Sequence, residues 1–290
     1  MGKLLSRRAF IKHFLKLGLI TAGTSTGLYY YSHNIEPGML QITKHTITHS
    51  AIPTGFNGFR IVQFSDTHLG FNYNLEQFEQ LITEINSLTP DVIFFTGDLM
   101  DAPNKYPNHH EIPAILNRLE APFGKFTIYG NHDHGGYGSD LYKSIMDKAN
   151  FIILQNQANK LNLLDGSEIY ILGLDDAMLG KPDLTSMTEG IPKESYKILL
   201  CHEPDLATQA QHYGIQLQVS GHSHGGQIQI PFYGPLVTPP LADLYHEGFY
   251  YLVEGTEPLT LYVNRGIGTT RLPFRFLSQP EVTLFELSST

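Results

Sequence analysis

An α/β fold of two mixed sheets packed face to face, with helices outside, is what this sequence predicts, and three observations carry it. Strand-like and helix-like segments alternate through the first half of the chain, and strand-like segments dominate the second half. Several of the apolar runs also end abruptly in Asp, Asn or His. Alternation is the rhythm of a mostly parallel sheet with crossover helices, and a later run of strands calls for a second sheet to cover. At 290 residues the chain can form one such domain with a full core. Its 41% hydrophobic and 16% charged residues describe an ordinary globular protein.

Residues 39–50 alternate apolar and polar (Leu40, Ile42, Ile47), the pattern of a half-buried strand. Phe59-Arg60-Ile61-Val62-Gln63-Phe64 is a second strand and runs into Ser65-Asp66-Thr67-His68. Residues 75–88 place Leu75, Phe78, Leu81, Ile82, Ile85 and Leu88 at helical spacing, with Asn74 as cap and Pro90 as stop. The continuous apolar run from Val92 to Phe95 reads as a strand buried on both faces and leads to Gly97-Asp98. A helix is expected over 111–119. The strand from Lys125 to Tyr129 then leads to Gly130-Asn131-His132-Asp133, a helix over 140–148 follows, and Phe151 to Leu154 is the next strand. Further strands are expected over 159–164, 168–174, 196–200, 216–219, 227–230, 249–253, 259–264 and 282–287. A polar connection, a surface loop or a lid, spans 175–193.

The net charge of −9 argues against a nucleic-acid partner, since phosphate contacts call for a basic surface. Fourteen histidines against one cysteine suit metal binding and exclude an intrachain disulfide framework. Those histidines are not scattered. In Gly221-His222-Ser223-His224-Gly225-Gly226, two histidines one residue apart cannot share a helix face, but they fit a loop just past a strand.

Similar residues stand at other strand ends: Asp66 and His68, Asp98, Asn131 and His132, and His202. Loops past the carboxyl ends of strands are where open α/β sheets assemble their sites. The donor set is carboxylate, amide oxygen and imidazole, which suits Mn, Fe, Zn or Mg rather than a thiolate-loving ion. Asp66, His68, Asp98, Asn131, His202, His222 and His224 are too many for one four-coordinate ion but enough for two that share a carboxylate.

Asp66-x-His68, Gly97-Asp98, Gly130-Asn131-His132-Asp133, His202 and Gly221-His222-x-His224, in this order, resemble the calcineurin-like metallophosphoesterase superfamily from about residue 58 to 230. That resemblance implies a four-layer α/β/β/α sandwich, with the C-terminal strands completing the second sheet. It also implies two divalent metal ions at the carboxyl ends of strands. By resemblance Asp66, His68 and His224 hold the first ion, Asp98 bridges, and Asn131, His202 and His222 hold the second. His132 is then the catalytic non-ligand, placed to protonate a leaving alkoxide or to stabilise charge on the phosphate. The implied activity is phosphodiesterase or phosphatase chemistry through a bridging hydroxide. The alternatives are a pyrophosphatase acting on a UDP-2,3-diacylglucosamine type of lipid, or a non-catalytic metal-binding scaffold.

Other polar residues stay open. Asp133 either orients His132 or caps a turn, and Arg265 is a candidate contact for substrate phosphate. Asp101, Asp175 and Asp176 are candidates for orienting ligand histidines, and His134 is a solvated loop residue or a substrate contact. Alternation points Cys201 into the core.

At the N-terminus, Ser6-Arg7-Arg8-Ala9-Phe10-Ile11-Lys12 precedes a weakly hydrophobic run diluted by Gly18, Gly23 and Gly27. This resembles a twin-arginine export signal. Residues 1–37 are therefore expected to be a signal or membrane anchor and 38–290 the enzymatic domain, with export to the periplasm, the cell wall or the outer face of the inner membrane. The expected partners are the export machinery, the membrane and a phosphoester substrate that could be lipid-linked.

Overall fold

The computed structural model describes residues 7–134, 139–255 and 257–290, without the side chains of Ala9 and Leu17. It opens with helix α1 (Arg7–Tyr30), exposed along its length, whose first residues carry Arg7 and Arg8; Ser6 lies outside the described residues. No helix among the described residues is long and apolar enough to cross a membrane. The chain joins the body before residue 38. Ser32 and Glu36 are buried, the Arg275 N–H donates to the Ser32 carbonyl at 2.9 Å, and the Ser278 N–H donates to Glu36 Oε1 at 2.6 Å. The boundary expected at residue 37 thus falls within a segment already packed on the body.

In chain order the first sheet collects β1 (Gln41–Thr48), β2 (Arg60–Phe64), β3 (Val92–Phe95), β4 (Lys125–Thr127) and β5 (Ile152–Ile153). The second collects β6 (Gln157–Asn162), β7 (Glu168–Gly173), β8 (Lys197–Leu200) and β9 (Leu217–Ser220). A separate small hairpin, β10 (Gln229–Ile230) with β11 (Gly234–Pro235), takes the place of the strand expected over 227–230. β12 (Gly248–Leu252) and β13 (Leu259–Val263) complete the second sheet, in the order β12-β13-β9-β8-β7-β6. The last strand, β14 (Glu281–Ser288), departs from expectation: it enters the first sheet, giving β1-β14-β2-β3-β4-β5. Its register explains why. β14 runs parallel to β1 and antiparallel to β2, so it fills a slot that no earlier strand occupies.

Helices α2 (Leu75–Ser87), α3 (Ile112–Leu116), α4 (Asn131–His134) and α5 (Ser139–Lys148) follow strands of the first sheet. α2 begins as its sequence predicts: Asn74 Oδ1 accepts from the Gln77 N–H at 2.9 Å, and Gln77 Oε1 accepts from the Asn74 N–H at 3.0 Å. Its stripe of Phe78, Leu81, Ile82 and Ile85 is buried in the apolar layer that holds Val62, Ile93 and Tyr142. Between the sheets lies a second layer built on Phe56, Phe94, Ile128, Ile198, Val219 and Phe285. A third packs α6 (Leu184–Thr188) and α7 (Ala207–Ala210) on the far side, with Cys201 buried in it as alternation requires. Three apolar layers between four layers of elements make the α/β/β/α sandwich. Each buried Leu, Ile or Phe contributes about 1.5–3 kcal/mol of transfer free energy.

Candidate metal centre

β2, β3 and β4 of the first sheet run parallel to one another, as do β8 and β9 of the second, so their carboxyl ends open on one edge of the sandwich. The ligand-type residues follow directly. Asp66, His68, Asp98, His222 and His224 have positive φ (55°, 42°, 60°, 69° and 52°). A left-handed backbone at a non-glycine residue costs on the order of 1 kcal/mol, and such residues cluster where a site over-determines them. The motif glycines have a different task, which is space. A Cβ at Gly130 would collide with the Asp98 carboxylate, and one at Gly221 with Ser65 and Asp66.

The two sheets are sewn together at this edge. The His202 ring shares its Nδ1 proton with the Thr96 carbonyl at 2.6 Å, and the His222 N–H donates to Asp66 Oδ2 at 3.0 Å. Gln63 Nε2 donates to Thr96 Oγ1 and to the Ser220 carbonyl, at 3.1 and 3.0 Å. These contacts bring two triads to one focus: Asp66, His68 and His224; and Asp98, His202 and His222. Within each triad the ligand atoms lie within 4.8 Å of one another. His132 completes a third triad with His68 and Asp98, so it sits at the same focus.

The donor set fits a metal group on its own chemistry. His68 Nε2 and His224 Nε2 face each other at 3.0 Å, where two ring nitrogens have one proton to share at most. His202 Nε2 lies 3.3 Å from Asp98 Oδ2, His68 Nε2 lies 3.5 Å from the same oxygen, and His224 Nε2 lies 3.4 Å from Asp66 Oδ1. Asn131 Oδ1 is buried with no hydrogen-bond partner among the described residues. The opposite nitrogens of the His68, His202 and His222 rings face oxygen atoms. His68 Nδ1 lies 3.3 Å from Asp101 Oδ1, and His222 Nε2 meets the Pro240 carbonyl at 2.9 Å. Outer partners of this kind fix tautomers and leave His68 Nε2, His202 Nε2 and His222 Nδ1 free to ligate.

Electrostatics agree. Burial raises the Asp66 carboxyl, and burial beside Asp98 pushes Asp133 up to about 7. Burial would also raise Asp98, but His202, His132 and His68 outweigh it and hold that carboxyl well below the usual range. Burial takes His222 down to about 4, so its imidazole is neutral and its lone pair available. So many buried carboxylates and neutral rings at one point call for positive charge.

His132 is partly exposed on the cavity side. Its N–H donates to Asp98 Oδ1 at 2.8 Å, and its Nδ1 donates to the Asp101 carbonyl at 2.7 Å. Asp133 does not reach that ring. Its carboxylate accepts from the N–H groups of Asp98, Leu99 and Gly130 at 2.6, 3.0 and 3.0 Å, clamping the β3 loop to the β4 loop. It is the turn cap of the two alternatives, while the orienting contact to His132 is a backbone carbonyl. Arg265 also stands away from the centre: its Nε lies 3.2 Å from Glu281 Oε2 and its Nη2 donates to Gln41 at 2.7 Å. His134 is tied to Asp175 at 3.0 Å, and Asp175 and Asp176 cap the 175–181 connection through the Lys181 and Leu179 N–H groups.

A cavity of about 170 Å³ opens on the focus. Asp98, Asn131, His132, His222 and His224 line its floor, and Met178, Ile228, Leu236, Val237, Pro239 and Leu272 line its wall. Sequence reasoning missed the loop that borders it. Arg275, fully buried, donates to the carbonyls of Arg265, Gly266, Gly268 and Ser278, and so fixes residues 265–278. The available signal was a lone arginine inside the aromatic run Leu272–Phe276, a group that can be buried only if its donors are used.

Similarity to known proteins points the same way. The profile of the calcineurin-like phosphoesterases matches residues 59–226. The uncharacterized metallophosphoesterase YkuE of Bacillus subtilis is 50% identical, over 99% of this chain and 99% of its own. An uncharacterized metallophosphoesterase of Aquifex aeolicus is 30% identical over 88% of this chain and 94% of its own. The UDP-2,3-diacylglucosamine pyrophosphatase LpxG of Chlamydia trachomatis is 28% identical over 93% of this chain and 98% of that protein. With the family's motifs gathered at one focus between two sheets, this chain belongs to the calcineurin-like phosphoesterases and is a hydrolase of the metallophosphoesterase kind.

Proposed function

We propose that the protein hydrolyses a phosphodiester or diphosphate bond with two divalent ions. Asp66, His68 and His224 hold one, Asn131, His202 and His222 the other, and Asp98 stands between them. The observation that carries this is the convergence of ring nitrogens and carboxylates on one point, beside a cavity that Asn131, with its unpartnered buried oxygen, also lines. Imidazole-rich sets with carboxylates favour Mn, Fe or Zn. When bound, two such ions polarise a phosphoryl oxygen and supply a nucleophilic hydroxide near neutral pH.

The chain's own part is proton delivery and orientation. With Nδ1 held by the Asp101 carbonyl, His132 keeps Nε2 for the substrate. Burial lowers its pKa, but Asp98 and the Asp101 carbonyl outweigh burial and leave it above the ordinary imidazole value. His132 therefore gives a proton to the leaving oxygen as the P–O bond breaks.

A lipid-linked diphosphate is the second reading, favoured by the apolar wall of Leu236, Val237, Pro239 and Leu272 beside the floor. The LpxG relatives lend it weight. Export rests on Arg7-Arg8 and the weakly apolar run behind them, and places this chemistry outside the cytoplasm. Protein loaded with Mn should hydrolyse bis-p-nitrophenyl phosphate faster than p-nitrophenyl phosphate, and a chelator should abolish both. Activity that survives chelation, or two bound metals with no turnover of any phosphoester, would overturn the proposal.

A further inference from the structure

Beyond the metal focus, the cavity has an outer cation. Arg271 lines it together with Gln227, Thr270 and Leu272, on the side that faces solvent. Elsewhere in the body, arginines are committed to partners: Arg60 to Thr89, Arg118 to Glu79, Arg265 to Glu281, and Arg275 to backbone carbonyls. Arg271 has no hydrogen bond and no ion pair among the described residues, in a chain with 28 acidic and 19 basic side chains. A guanidinium left unpaired in an acidic protein, at the mouth of a phosphoester cavity, is set for an anion from outside the chain.

Its placement is built, not incidental. Arg271 has φ of 62°, a conformation that disfavours any residue with a Cβ. The residue before it is clamped from both sides. Gln227 Nε2 donates to the Thr270 carbonyl and the Thr270 N–H donates to Gln227 Oε1, each at 2.9 Å. Thr270 Oγ1 donates to Asp101 Oδ1 at 2.9 Å, the same oxygen that lies 3.3 Å from the His68 ring. Arg275 Nη1 and Nη2 hold the rest of the loop. The chain thus pays local strain to fix one arginine relative to the metal ligands.

The scissile phosphoryl group belongs on the buried floor, among Asp98, Asn131, His132 and His222, whereas Arg271 is exposed. We propose that Arg271 is a specificity residue: it grips a second phosphoryl group adjacent to the scissile one. This makes the preferred substrate a diphosphate diester, R–O–P–O–P–O–R′, rather than a simple phosphodiester. Water adds across the P–O–P bond, one phosphoryl takes the hydroxyl oxygen, and the other leaves as a phosphate monoester carrying the proton from His132. Arg271 forks to the oxygens of the departing phosphoryl. The inference rests on the hydrolase reading above.

The test compares bis(4-nitrophenyl) phosphate with P1,P2-bis(4-nitrophenyl) diphosphate, using full-length Mn-loaded wild type, Arg271→Asn and Arg271→Lys. Asn tolerates the left-handed backbone, so the loop is kept, and Lys keeps the charge without the fork. The wild type should prefer the diphosphate in kcat/KM. Arg271→Asn should lose about 10- to 100-fold more on the diphosphate than on the monophosphate diester, mainly through KM, and Arg271→Lys should recover only part of that loss. Equal losses on both substrates, or no wild-type preference for the diphosphate, would overturn the assignment of Arg271 and leave the hydrolase reading standing. No hydrolysis of either substrate by metal-loaded wild type would overturn both.

Discussion

The two sheets bring different chemistry to one seam. β2, β3 and β4 of the first end in Asp66, His68, Asp98 and Asn131, mostly oxygen donors, whereas β8 and β9 of the second end in His202, His222 and His224. Neither half satisfies itself. Besides His68 of their own half, Asp98 and Asp66 each meet a ring from the opposite sheet, His202 at 3.3 Å and His224 at 3.4 Å. The His202 ring in turn depends on the Thr96 carbonyl of the first sheet, and the Asp66 carboxylate on the His222 N–H of the second. An oxygen-rich half alone would concentrate buried negative charge, and a nitrogen-rich half alone would have lone pairs with nothing to bind. Docking the sheets creates the site, so metal binding is linked to folding.

The comparison breaks most severely at Asp98, which faces ligands from both halves. Asp98→Asn should lower turnover of a phosphodiester by about a thousand-fold or more and weaken both ions, because several kcal/mol of charge stabilisation go with the carboxylate. Metal content by mass spectrometry alongside kinetics checks this, and loss of a single ion would mean that Asp98 does not stand between them. His132→Ala touches neither half's ligand set. It should keep both metals yet lose about 10²–10⁴ in kcat for substrates with poor leaving groups, and less for nitrophenolate, which leaves without a proton. A uniform loss across leaving groups would remove its acid role. The smallest effect sharpens the asymmetry. Asp101→Ala removes the carboxylate 3.3 Å from the His68 ring, and should weaken metal affinity about 10- to 100-fold at the Asp66–His68–His224 position only. Chelator titration with two resolvable affinities would read it, and an equal change at both positions would contradict the division of ligands.

Much of the site was legible because it lies in short motifs. Asp66-x-His68, Gly97-Asp98, Gly130-Asn131-His132 and Gly221-His222-x-His224 each follow a strand whose periodicity is plain, and strand ends face one edge in a parallel sheet. What escaped lies where partners are distant in sequence. Asp133 follows His132 and looks like its neighbour's orienter, yet its carboxylate turns back to the Asp98 and Leu99 N–H groups. Arg265 looked available for substrate but is held by Glu281, a residue of the last strand. β14 itself was expected in the second sheet and pairs with β1 and β2 in the first.

The sequence by itself determined the α/β class, the strand and helix order, and the Asp, Asn and His side chains that stand at strand ends. These rest on local periodicity and on chemistry that travels with residue identity. Only the tertiary structure decided which sheet receives β14, where Asp133 and Arg265 turn, how Arg275 is buried, and that Arg271 lines the cavity with no partner among the described residues. Those outcomes depend on register and on contacts across spans such as the 242 residues between Glu36 and Ser278, and no local pattern encodes which distant donor or acceptor will arrive.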